Sequence, residues 1–571
     1  MHFIDFEVFK HDWLCVIQSP QVGETVIVND KKALEDYYNN HKDEIFIGYN
    51  IRNYDQFIFK AILLDFNPKL VNDFIIEQGQ SGYQYSSLFS KIPLYFFDVQ
   101  TQRIGLKQLE GFMGEDIRET TVPFDIDRKL NAKELQEVIF YCKHDVKETV
   151  KVFEKQIEEF TSQYELVKMF KFPASFMGKT KAQLSASALG AERRKHDDEL
   201  DYTIPTNLKI KKYQFIVDWF KNCKKETNLD EFYKQSLNCD VAGVPHVFAW
   251  GGIHGATPNY RGKGYFVNVD VASYYPSMMI EYGYTSRGIK DPEKYKEIYN
   301  TRLQYKAKKD KRQAPLKIVL NSTYGAMKDK FNHLYDPRQA NNVCVTGQLL
   351  LLDLLEQLEP YFDIIQSNTD GILVKLRATN DEEADREYAR LDDLCYEWEQ
   401  RSKMNLEFDQ FSEVIQKDVN NYIIVAPDGS YKSKGAYVKK LNDLDYDLPI
   451  VNKATINYFV KNIPVEKTVN ECTDLREFQK IVKVSYLYKY AIHNGKQLNE
   501  KTFRVFASTN PNDGTIYKVK DGRNPEKFAN TPDNCFIDNS NVFGKSLPPY
   551  LNKQWYIDLA NKRISEFLGV D

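Results

Sequence analysis

The spacing of apolar and polar residues over the first 160 positions predicts a unit in which strands alternate with helices. Short apolar runs at Phe3 to Phe9, Glu44 to Gly48 and Leu94 to Asp98 have the length of strands. From Leu135 to Ile157 the apolar residues recur at helical spacing, which predicts a long amphipathic helix. Strands and helices that follow one another in this way indicate an α/β unit.

The pattern weakens between about residues 171 and 200, and a second compact unit is predicted after this connector. The elements predicted for it are the strand YFVNVD after Gly264, a lysine-rich helical pair over about 291–327, an apolar helix from Thr346 to Leu358, the hairpin IIQSNTDGILV, a helix from Glu382 to Glu399, and two strands joined by a turn at Pro427-Asp428-Gly429. The chain ends in a predicted helix from Lys553 to Phe567. The predicted fold class is therefore multidomain, with α/β and α+β parts.

Length and charge narrow the function classes. With 571 residues the chain predicts about three to five domains at roughly 150 residues each. Its net charge of -4 excludes binding to a polyanion through overall charge alone, so any nucleic-acid binding requires local basic patches. Eight scattered cysteines without a CxxC pair indicate neither a zinc knuckle nor a disulfide framework. No secretion signal or membrane span is recognisable, which predicts a soluble cytoplasmic protein.

Acidic residues at the start of the chain form a candidate metal site. Asp5 and Glu7 lie on the first predicted strand, where alternation places both carboxylates on one face. The same pair could also belong to a solvated strand face, because an Asp-x-Glu triplet arises readily by chance. Asp55 follows the strand IFIGY, and Asp145 stands four residues after Tyr141 on one helical face.

Each of these segments also has a purely structural interpretation. Asn50 could cap a helix, Asp55 could be a first-turn charge and Tyr141 could be a core aromatic. Their order along one α/β unit nevertheless favours a shared site. Four hard carboxylates can hold two divalent cations, Mg²⁺ or Mn²⁺, that clamp the attacking and leaving oxygens of a phosphodiester, and Tyr141 could orient the attacking water.

A second acidic pair is predicted in the second unit. Asp270 ends the strand YFVNVD, and a tight turn from Ser273 to Pro276 follows it. Asp370 lies at the end of the predicted hairpin IIQSNTDGILV, although a Thr-Asp-Gly sequence is by itself more often only a turn. Two such acids could hold metal ions for phosphoryl transfer if they meet.

Helical polar residues stand between these two acids. In KIVLNSTYGAM, Lys317, Asn321 and Tyr324 are spaced by four and three and therefore share one helical face. Arg302 and Lys306 are four apart on the preceding helix, whereas the run that continues to Arg312 is interpreted as a solvated basic face. Acids for metals, cations for a triphosphate, and an aromatic and an amide for a base pair together indicate nucleotidyl transfer.

These segments resemble the family B DNA polymerases. The carboxylate segments of the first unit are similar to the three motifs of the family's proofreading 3′–5′ exonuclease domain, which has an RNase H-like fold. DVASYYPS, KIVLNSTYGAM and SNTDGI resemble the polymerase motifs A, B and C, and they follow one another in the family's order. The resemblance extends to about residue 440, and the length is similar to that of the small bacteriophage-type members.

The resemblance implies roles for individual residues. In the polymerase site it implies three metal ligands, Asp270, Val271 and Asp370. In the exonuclease site it implies that Tyr141 is catalytic and that the metal ligands are Asp5, Glu7, Asp55 and Asp145. It also implies a nucleotide site that includes Ser273, Tyr274 and Tyr275, with Tyr275 as the gate that excludes a 2′-hydroxyl. In this site Arg302, Lys306 and Lys317 would bind the triphosphate, and Asn321 and Tyr324 would line the nascent base pair. It implies contacts with DNA from Asn50, Lys107, Gly251, Gly252, Gly325, Lys432, Lys434 and Tyr437.

Two positions depart from the family pattern. Asn368 stands where most relatives have the first motif C aspartate, and the segment Phe248 to Gly252 differs by one residue in spacing from the family's Tyr/Phe-x-Gly-Gly segment. Because Asp370 occupies the position of the family's metal-binding acid, an active polymerase is expected. The alternative is a synthesis-deficient DNA-binding nuclease or a replication-associated scaffold, which Asn368 would favour.

The resemblance also predicts a domain order and a biological role. The predicted domains are an exonuclease at 1–170, a connector associated with the palm at 171–245, the palm at 246–290 and 329–460, the fingers at 291–328 and, by position only, a thumb at 461–571. The expected protein is a monomeric DNA-dependent DNA polymerase of the host cytoplasm that replicates a phage or related mobile genome. It would use two Mg²⁺ (or Mn²⁺) per active site, primer-template DNA and dNTPs, with a helicase or single-strand-binding protein as a further partner.

Overall fold

The computed structural model of the protein describes residues 1–570, and their contacts divide the chain into two compact units. Unit 1 contains Met1–Lys179, Leu441–Val451 and Glu466–Asp558. Unit 2 contains Thr180–Lys440, Asn452–Val465 and the residues from Leu559 onward. The division after Lys179 falls inside the predicted connector. The segment 461–571, which was predicted as one thumb, is instead divided between the two units.

The first stretch of unit 1 is an α/β fold. Its strands are β1 (His2–Val8), β2 (Trp13–Ser19), β3 (Gly23–Val28), β4 (Phe46–Gly48) and β5 (Phe96–Asp98). Its helices are α1 (Lys31–His41), α2 (Asp55–Leu63), α3 (Pro68–Ile76), α4 (Gly82–Tyr85), α5 (Leu106–Met113), α6 (Ala132–Lys155) and α7 (Ile157–Met169). The sheet has the order β3-β2-β1-β4-β5, in which β4 runs parallel to β1 and to β5 and the other neighbours are antiparallel.

The three strands and the helix that the pattern predicted here correspond to β1, β4, β5 and α6. Helix α6 begins at a capping box, because the Asn131 side chain accepts from the amide of Glu134 while the Glu134 side chain bonds the Asn131 amide. It packs on β1 and β2. The hairpin β2–β3 was not predicted, although it supplies two of the five strands.

The middle stretch, in unit 2, surrounds one large sheet. Its helices are α8 (Lys181–Ala188), α9 (Gln214–Cys223), α10 (Leu229–Lys234), α11 (Tyr274–Glu281), α12 (Glu293–Ala307), α13 (Gln313–Met327), α14 (Pro337–Leu358) and α15 (Asp381–Ser402). Its strands are β6 (Ser236–Val241), β7 (Val244–Ala249), β8 (Gly252–Ala256), β9 (Tyr260–Val271), β10 (Asp363–Asn368), β11 (Gly371–Lys375), β12 (Leu406–Asp418), β13 (Asn421–Val425) and β14 (Tyr431–Lys434). All neighbours in the order β14-β13-β12-β9-β11-β10-β8-β7-β6 are antiparallel.

Most predicted elements of this stretch are confirmed. The helical pair is α12 and α13, and the predicted hairpins are β10–β11 and β13–β14. The apolar helix α14 is longer than predicted and is buried on nearly all sides, as a central core helix must be. The predicted tight turn after Asp270 is a single left-handed residue, Ser273 with φ of 50°, that leads directly into α11. An antiparallel sheet with helices is an α+β arrangement, so the predicted fold class is confirmed.

The last stretch consists of short elements. They are α16 (Pro449–Lys461), α17 (Val465–Glu471), β15 (Lys480–Lys483), β16 (Tyr490–His493), β17 (Lys496–Leu498), β18 (Thr502–Ala507), β19 (Tyr517–Val519), β20 (Glu526–Lys527), β21 (Cys535–Ile537) and α18 (Lys553–Leu568). They form the sheets β15-β18-β21 and β17-β16-β19-β20. Within residues 1–570, no helix combines the length and apolar composition that crossing a membrane requires.

Packing against α5 explains why most of this stretch belongs to unit 1. A side chain at Gly111 of α5 would come within 2.9 Å of Ile481 in β15, so the glycine permits close approach. The buried guanidinium of Arg504 in β18 donates to the carbonyl of Glu115 at 2.7 Å. These contacts are between residues far apart in sequence, and position along the chain could not have predicted them.

Two candidate active sites

The first site is the acidic cluster of unit 1, formed by Asp5, Glu7, Asp55 and Asp145 and called here the first carboxylate cluster. Asp5 and Glu7 project from β1, and their carboxylate oxygens lie with the Cys142 sulfur within 4.8 Å of one another. The Cys142 thiol donates to Asp5 Oδ2 at 3.4 Å. The spacing of the two acids on one strand therefore does place them on one face, as predicted.

Burial dominates the electrostatics of this cluster. Loss of hydration, and then the charge of Asp145, raise the pKa of Asp5 to about 7. The same burial raises the pKa of Asp145 to about 6 and the pKa of Glu7 and Asp55 well above their usual range. The charge of Asp5 is the next cause for both Glu7 and Asp55. The four carboxylates therefore lie close enough to oppose one another's ionisation.

Lys107, predicted to contact DNA, lies inside this cluster. Its ammonium group donates to Asp145 and, at 3.0 Å, to Glu110. It also lies 4.5 Å from the centre of the Tyr141 ring. Burial and the charges of Asp145, Glu7 and Asp5 raise the pKa of Tyr141 well above its usual range, so its hydroxyl is neutral beside the acids. The prediction of DNA contact by Lys107 remains untested.

The loop before Asp55 is held by a carboxylate that the sequence did not single out. Asp98, at the end of β5, accepts from the amide of Asn50 at 2.9 Å and from the amide of Arg52 at 3.1 Å. Asn50 has a left-handed backbone with φ of 65°, and the residue at the N-cap position of α2 is Tyr54. The interpretation of Asn50 as a helix cap is therefore wrong, whereas Asp55 is both the first helical residue and a member of the cluster.

The cluster fits divalent cations by two observations. Asp55 Oδ1 is buried and has no hydrogen-bond partner among residues 1–570. This carboxylate oxygen has therefore lost its hydration without gaining a replacement, and a cation could supply one. Hard carboxylate oxygens are the ligands that Mg²⁺ and Mn²⁺ prefer.

Glu110, fully buried beside Lys107, was missed by sequence reasoning. Its spacing of three residues from Lys107 was the available signal.

The second site joins Asp270 and Asp370, the second carboxylate pair. Asp270 on β9 is paired with Gly371 of β11, which directly follows Asp370. A Cβ at position 371 would lie 1.9 Å from Asp270 Oδ1, so glycine is required for the Asp270 carboxylate to occupy this position. Burial raises the pKa of Asp270 to about 6, with the charge of Asp370 as the second cause. The glycine of the Thr-Asp-Gly sequence, Gly371, is therefore explained by its close packing against the Asp270 carboxylate.

Backbone hydrogen bonds fix the loop that carries Asp370. The amide of Val271 donates to the Asp370 carbonyl at 2.8 Å, and the amide of Thr369 donates to the Ile253 carbonyl at 2.9 Å. Asn368 pairs with His254 of β8, and its side-chain oxygen accepts from His254 Nδ1 at 3.1 Å. Asn368 is therefore engaged with the neighbouring strand, and Asp370 alone supplies a carboxylate from this loop.

A cavity of about 240 Å³ lies beside Asp370 and collects most of the predicted nucleotide-site residues. It is lined by Val271, Ser273, Tyr274, Tyr275, Pro276, Leu320, Asn321, Tyr324, Thr369 and Asp370. The rings of Tyr275 and Tyr324 are 4.6 Å apart between centroids, which joins α11 to α13 at the cavity wall. Three separate predicted segments therefore meet at one pocket.

The predicted triphosphate cations differ in how closely they approach this pocket. Arg302 Nη1 donates to Ser273 Oγ at 3.4 Å, and its Nε is buried without a hydrogen-bond partner in the described chain. Lys306 lies 3.7 Å from Glu407. Lys317 is exposed on α13, as is Gly325. Only Arg302 is therefore in contact with a residue of the cavity wall.

A second cavity of about 280 Å³ is bordered by both members of the carboxylate pair. It is lined by Asn268, Asp270, Gln366, Asn368, Asp370, Gly371, Leu373, Tyr422, Ile424, Lys432, Ser433 and Lys434. Asp370 thus borders both cavities. Burial raises the pKa of Asp370, and the positive charge of Lys434 opposes that rise. The predicted DNA contacts Lys432 and Lys434 therefore lie in the neighbourhood of the acids.

Strand pairing brings two further acids to this site. Glu407 and Asp409 of β12 pair with Asp270 and Asn268 of β9, so their side chains share a face with Asp270. Lys432 donates to Asp409 Oδ2 at 2.7 Å, and the charge of Asp409 contributes to the raised pKa of Asp270. Sequence reasoning missed both acids. The alternating segment LEFDQF was the only signal.

The remaining predicted DNA contacts occupy different environments. Gly251 lies in the turn between β7 and β8, and Gly252, the first residue of β8 with φ of 133°, faces the Thr369 side chain. Tyr437 is partly buried under two cations, with Lys417 Nζ at 4.7 Å and the Arg563 guanidinium at 4.9 Å from its ring centre. The ring of Tyr437 is thus engaged in packing, and its predicted role stays a prediction.

Comparisons with known proteins place the chain near DNA polymerases. No protein-family model matches it. It is similar to DNA polymerase 1 of Sulfolobus acidocaldarius, with 24% identity over 201 residues that make up 34% of this chain and 21% of that protein. The match thus spans about a fifth of the length of this curated relative. Among solved structures it is similar to the family B DNA polymerase of Pyrobaculum calidifontis, with a TM-score of 0.43 and 14% identity over 100% of this chain and 78% of that chain.

Proposed function

We propose that the protein is a DNA-dependent DNA polymerase of family B type with a 3′–5′ proofreading exonuclease. The observation that carries the proposal is the meeting of Asp270 and Asp370 at one cavity, while Asp370 also lines a second cavity that collects residues from three predicted motifs. The printed name of the curated relative, DNA polymerase 1, supports the same activity. Unit 2 holds the polymerase site and unit 1 holds the exonuclease site.

In the polymerase site, Asp270 and Asp370 would hold two Mg²⁺ ions. When bound, these ions stabilise charge on the attacking and leaving oxygens during transfer of a nucleotide to a primer 3′-hydroxyl. Burial, and then the charge of Asp370, raise the pKa of Asp270, and a bound cation would favour the ionised carboxylate against both effects. Lys434 adds positive charge near Asp370, on the side where a primer-template phosphate backbone would lie.

The cavity lined by Tyr275 would hold the incoming dNTP. Its aromatic wall, Tyr275 against Tyr324, offers a flat surface for the sugar and base. Arg302 beside Ser273 offers a cation to the triphosphate, together with Lys306 and Lys317 from the same helical pair. A ribose with a 2′-hydroxyl would contact the Tyr275 ring, so the pocket would select deoxyribonucleotides.

In the exonuclease site, the first carboxylate cluster would hold two divalent cations that supply hydroxide formation and charge stabilisation for phosphodiester hydrolysis. Tyr141 would orient the attacking water through its neutral hydroxyl. Lys107 would hold Asp145 in position, and its positive charge would offset part of the negative charge of the buried cluster. Removal of a 3′ nucleotide is the reaction that suits this arrangement.

A primer-extension experiment tests the proposal. The protein is incubated with Mg²⁺ and a primed template, with or without dNTPs, and with a paired or mismatched primer 3′ end. Extension with dNTPs and shortening without them support both activities. Shortening under both conditions supports the alternative of a synthesis-deficient nuclease, and an unchanged primer under every condition supports the alternative of a scaffold.

The finer assignments belong to the same proposal. The exonuclease, palm, fingers and thumb divisions, the replication of a phage or related mobile genome, the monomeric state and a cytoplasmic location follow from the resemblance to small bacteriophage-type polymerases. A helicase or single-strand-binding protein would be the further partner. Size-exclusion chromatography with light scattering tests the monomeric state, because a dimer would double the mass of 66.8 kDa.

A further inference from the structure

The loop between β15 and β16 exposes an aromatic side chain to solvent. Tyr486 is 95% exposed, the highest fraction among the exposed large hydrophobic side chains of residues 1–570, and the adjacent Leu487 is 52% exposed. Neighbouring Tyr488 is instead held, because its hydroxyl donates to Glu526 at 2.6 Å. The loop therefore combines one anchored side chain, Tyr488, with an adjacent exposed aromatic ring, Tyr486.

The loop lies beside the helix that carries Lys107. Helix α5 packs against β15, and a Cβ at Gly105, the residue before α5, would lie 2.6 Å from Lys483 Nζ. Lys483 is the last residue of β15 and directly precedes the loop. Two residues after Gly105, Lys107 binds Asp145 of the first carboxylate cluster. The loop and the cluster are thus connected through one short helix within unit 1.

The charge around this loop favours an anionic ligand. The interval from Lys480 to Lys527 contains ten Lys and Arg residues against four Asp and Glu residues. Arg504 is buried, and Lys480 and Lys527 are paired with Asp447 and Asp533 outside the interval, which leaves an excess of three positive charges. Lys489 is paired with Asp521, whereas Lys483 is exposed and has no salt-bridge partner in the described part of the chain. A cation without a salt-bridge partner, three residues before an exposed aromatic ring, suits a phosphate followed by an unpaired base.

We propose that Lys483 and Tyr486 bind single-stranded DNA and guide its 3′ end toward the first carboxylate cluster. This inference rests on the proposed exonuclease function. Tyr486 stacks on an unpaired base, which single strands offer and duplexes do not, and Lys483 contacts an adjacent phosphate. The pair is a positioning device, because neither residue lies among the carboxylates that would act on the phosphodiester.

Binding is measured separately from excision. Fluorescence anisotropy with a labelled oligothymidylate and no divalent cation gives the Kd for wild type, Tyr486→Ala, Tyr486→Phe and Lys483→Gln. We expect Tyr486→Ala to raise the Kd about tenfold, and Tyr486→Phe, which keeps the ring, to change it less than about twofold. Lys483→Gln should lower the slope of log Kd against log salt by about 0.7, the value for one lost phosphate contact.

The matched control is Tyr396→Ala, since Tyr396 is 61% exposed on α15 of unit 2. It should leave the Kd unchanged. The excision rate in Mg²⁺ should fall for Tyr486→Ala through a raised KM at unchanged kcat.

The outcomes separate this inference from the proposed function. If the wild type excises and both Tyr486→Ala and Lys483→Gln match it in Kd, KM and salt slope, the inference is overturned and the exonuclease proposal stands. A wild type that binds single strands through Tyr486 but never excises supports the binding site and overturns the exonuclease. A wild type that binds no single-stranded oligonucleotide overturns the inference directly.

Discussion

The first carboxylate cluster and the second carboxylate pair use the same chemical group in opposite surroundings. In the first, four acids are enclosed, and Lys107 is the cation bound to Asp145. In the second, Asp270 borders one cavity and Asp370 borders two, Lys434 lies in electrostatic range of Asp370, and Lys432 is bound to Asp409. The first site is a group of buried acids whose ionisation is opposed by burial and by one another, and the second has basic side chains and open volume.

This difference indicates what each site must accommodate. Enclosed acids with pKa values raised by burial are best stabilised by small divalent cations, so the first site suits a single phosphodiester at the end of a strand. The second site has two cavities beside Asp370, and under the proposed function one would take a nucleotide and the other a polynucleotide backbone. Experiments that alter one site at a time can therefore test whether the two are independent.

The largest expected effect is a reciprocal loss of activity. Asp370→Ala should reduce primer extension by about 10³-fold or more because it removes one of two metal ligands, and it should leave mismatch excision within about twofold. Asp5→Ala should do the reverse. Gel assays on a mismatched primer measure both activities. Asp393→Ala, an exposed acid on α15, is the control, and loss of extension in Asp5→Ala with retained excision would contradict the assignment.

Tyr275 provides the next largest effect. Tyr275→Ala should lower discrimination between dNTPs and rNTPs by about 10- to 100-fold, because the ring that a 2′-hydroxyl would meet is removed. Tyr275→Phe keeps the ring and should retain most of the discrimination. Single-nucleotide incorporation gives kcat/KM for each substrate. Equal discrimination in the wild type and in Tyr275→Ala would remove Tyr275 from the role of sugar gate.

Variants of Asn368 and Asp409 test which side chains of the second site, besides Asp270 and Asp370, contribute to primer extension. Asn368→Ala should reduce extension by less than about tenfold, since a neutral amide bound to His254 is a weaker metal ligand than a carboxylate. Asp409→Asn should cost more than Asn368→Ala, because Asp409 holds Lys432 and faces Asp270. Steady-state extension rates test the order. A loss in Asn368→Ala equal to that of Asp370→Ala would make Asn368 a direct ligand.

Metal addition should stabilise unit 1 through the first cluster. A cation that binds only the folded protein raises the free energy of unfolding by about 2.7 kcal/mol at a concentration of 100 times its Kd. Mn²⁺ should therefore raise the melting temperature of the wild type, and Asp5→Asn with Glu7→Gln should lose most of this increase. Removal of metal by EDTA should abolish excision. An equal Mn²⁺ shift in the double variant would mean that the cation binds elsewhere.

The smallest effect concerns a buried cation in unit 1. Burial lowers the pKa of Lys60 on α2 to about 8, and its ammonium group donates to Gln56. Between about pH 8 and 10.5 the unfolded chain holds a proton that the native protein has released, so the free energy of unfolding rises with pH in this range. Lys60→Met should therefore add about 1–3 kcal/mol at pH 7 and little at pH 10.5. Urea unfolding measures both, with the exposed Lys32→Met as control, and a gain independent of pH would contradict the assignment.

Local patterns predicted the elements that carry the acids. The β1 face of Asp5 and Glu7, the helical spacing of Tyr141 and Asp145, and the β10–β11 hairpin were all recognisable because period and turn residues are local signals. Three motif segments of unit 2 also line one cavity, and the roles predicted for their residues stay predictions. The β2–β3 hairpin was not predicted, although Pro20 and Gly23 separate its two apolar runs, and neither was the left-handed backbone of Ser273.

The sequence by itself determined which acids, aromatics and cations exist and which secondary-structure element presents each of them. Only the tertiary structure decided which of them meet. Pairing of β12 with β9 brings Asp409 to Asp270, and packing of β15 on α5 brings Lys483 beside Gly105. Such contacts join residues far apart in the chain, where burial of apolar surface and strand pairing, rather than local propensity, select the partner.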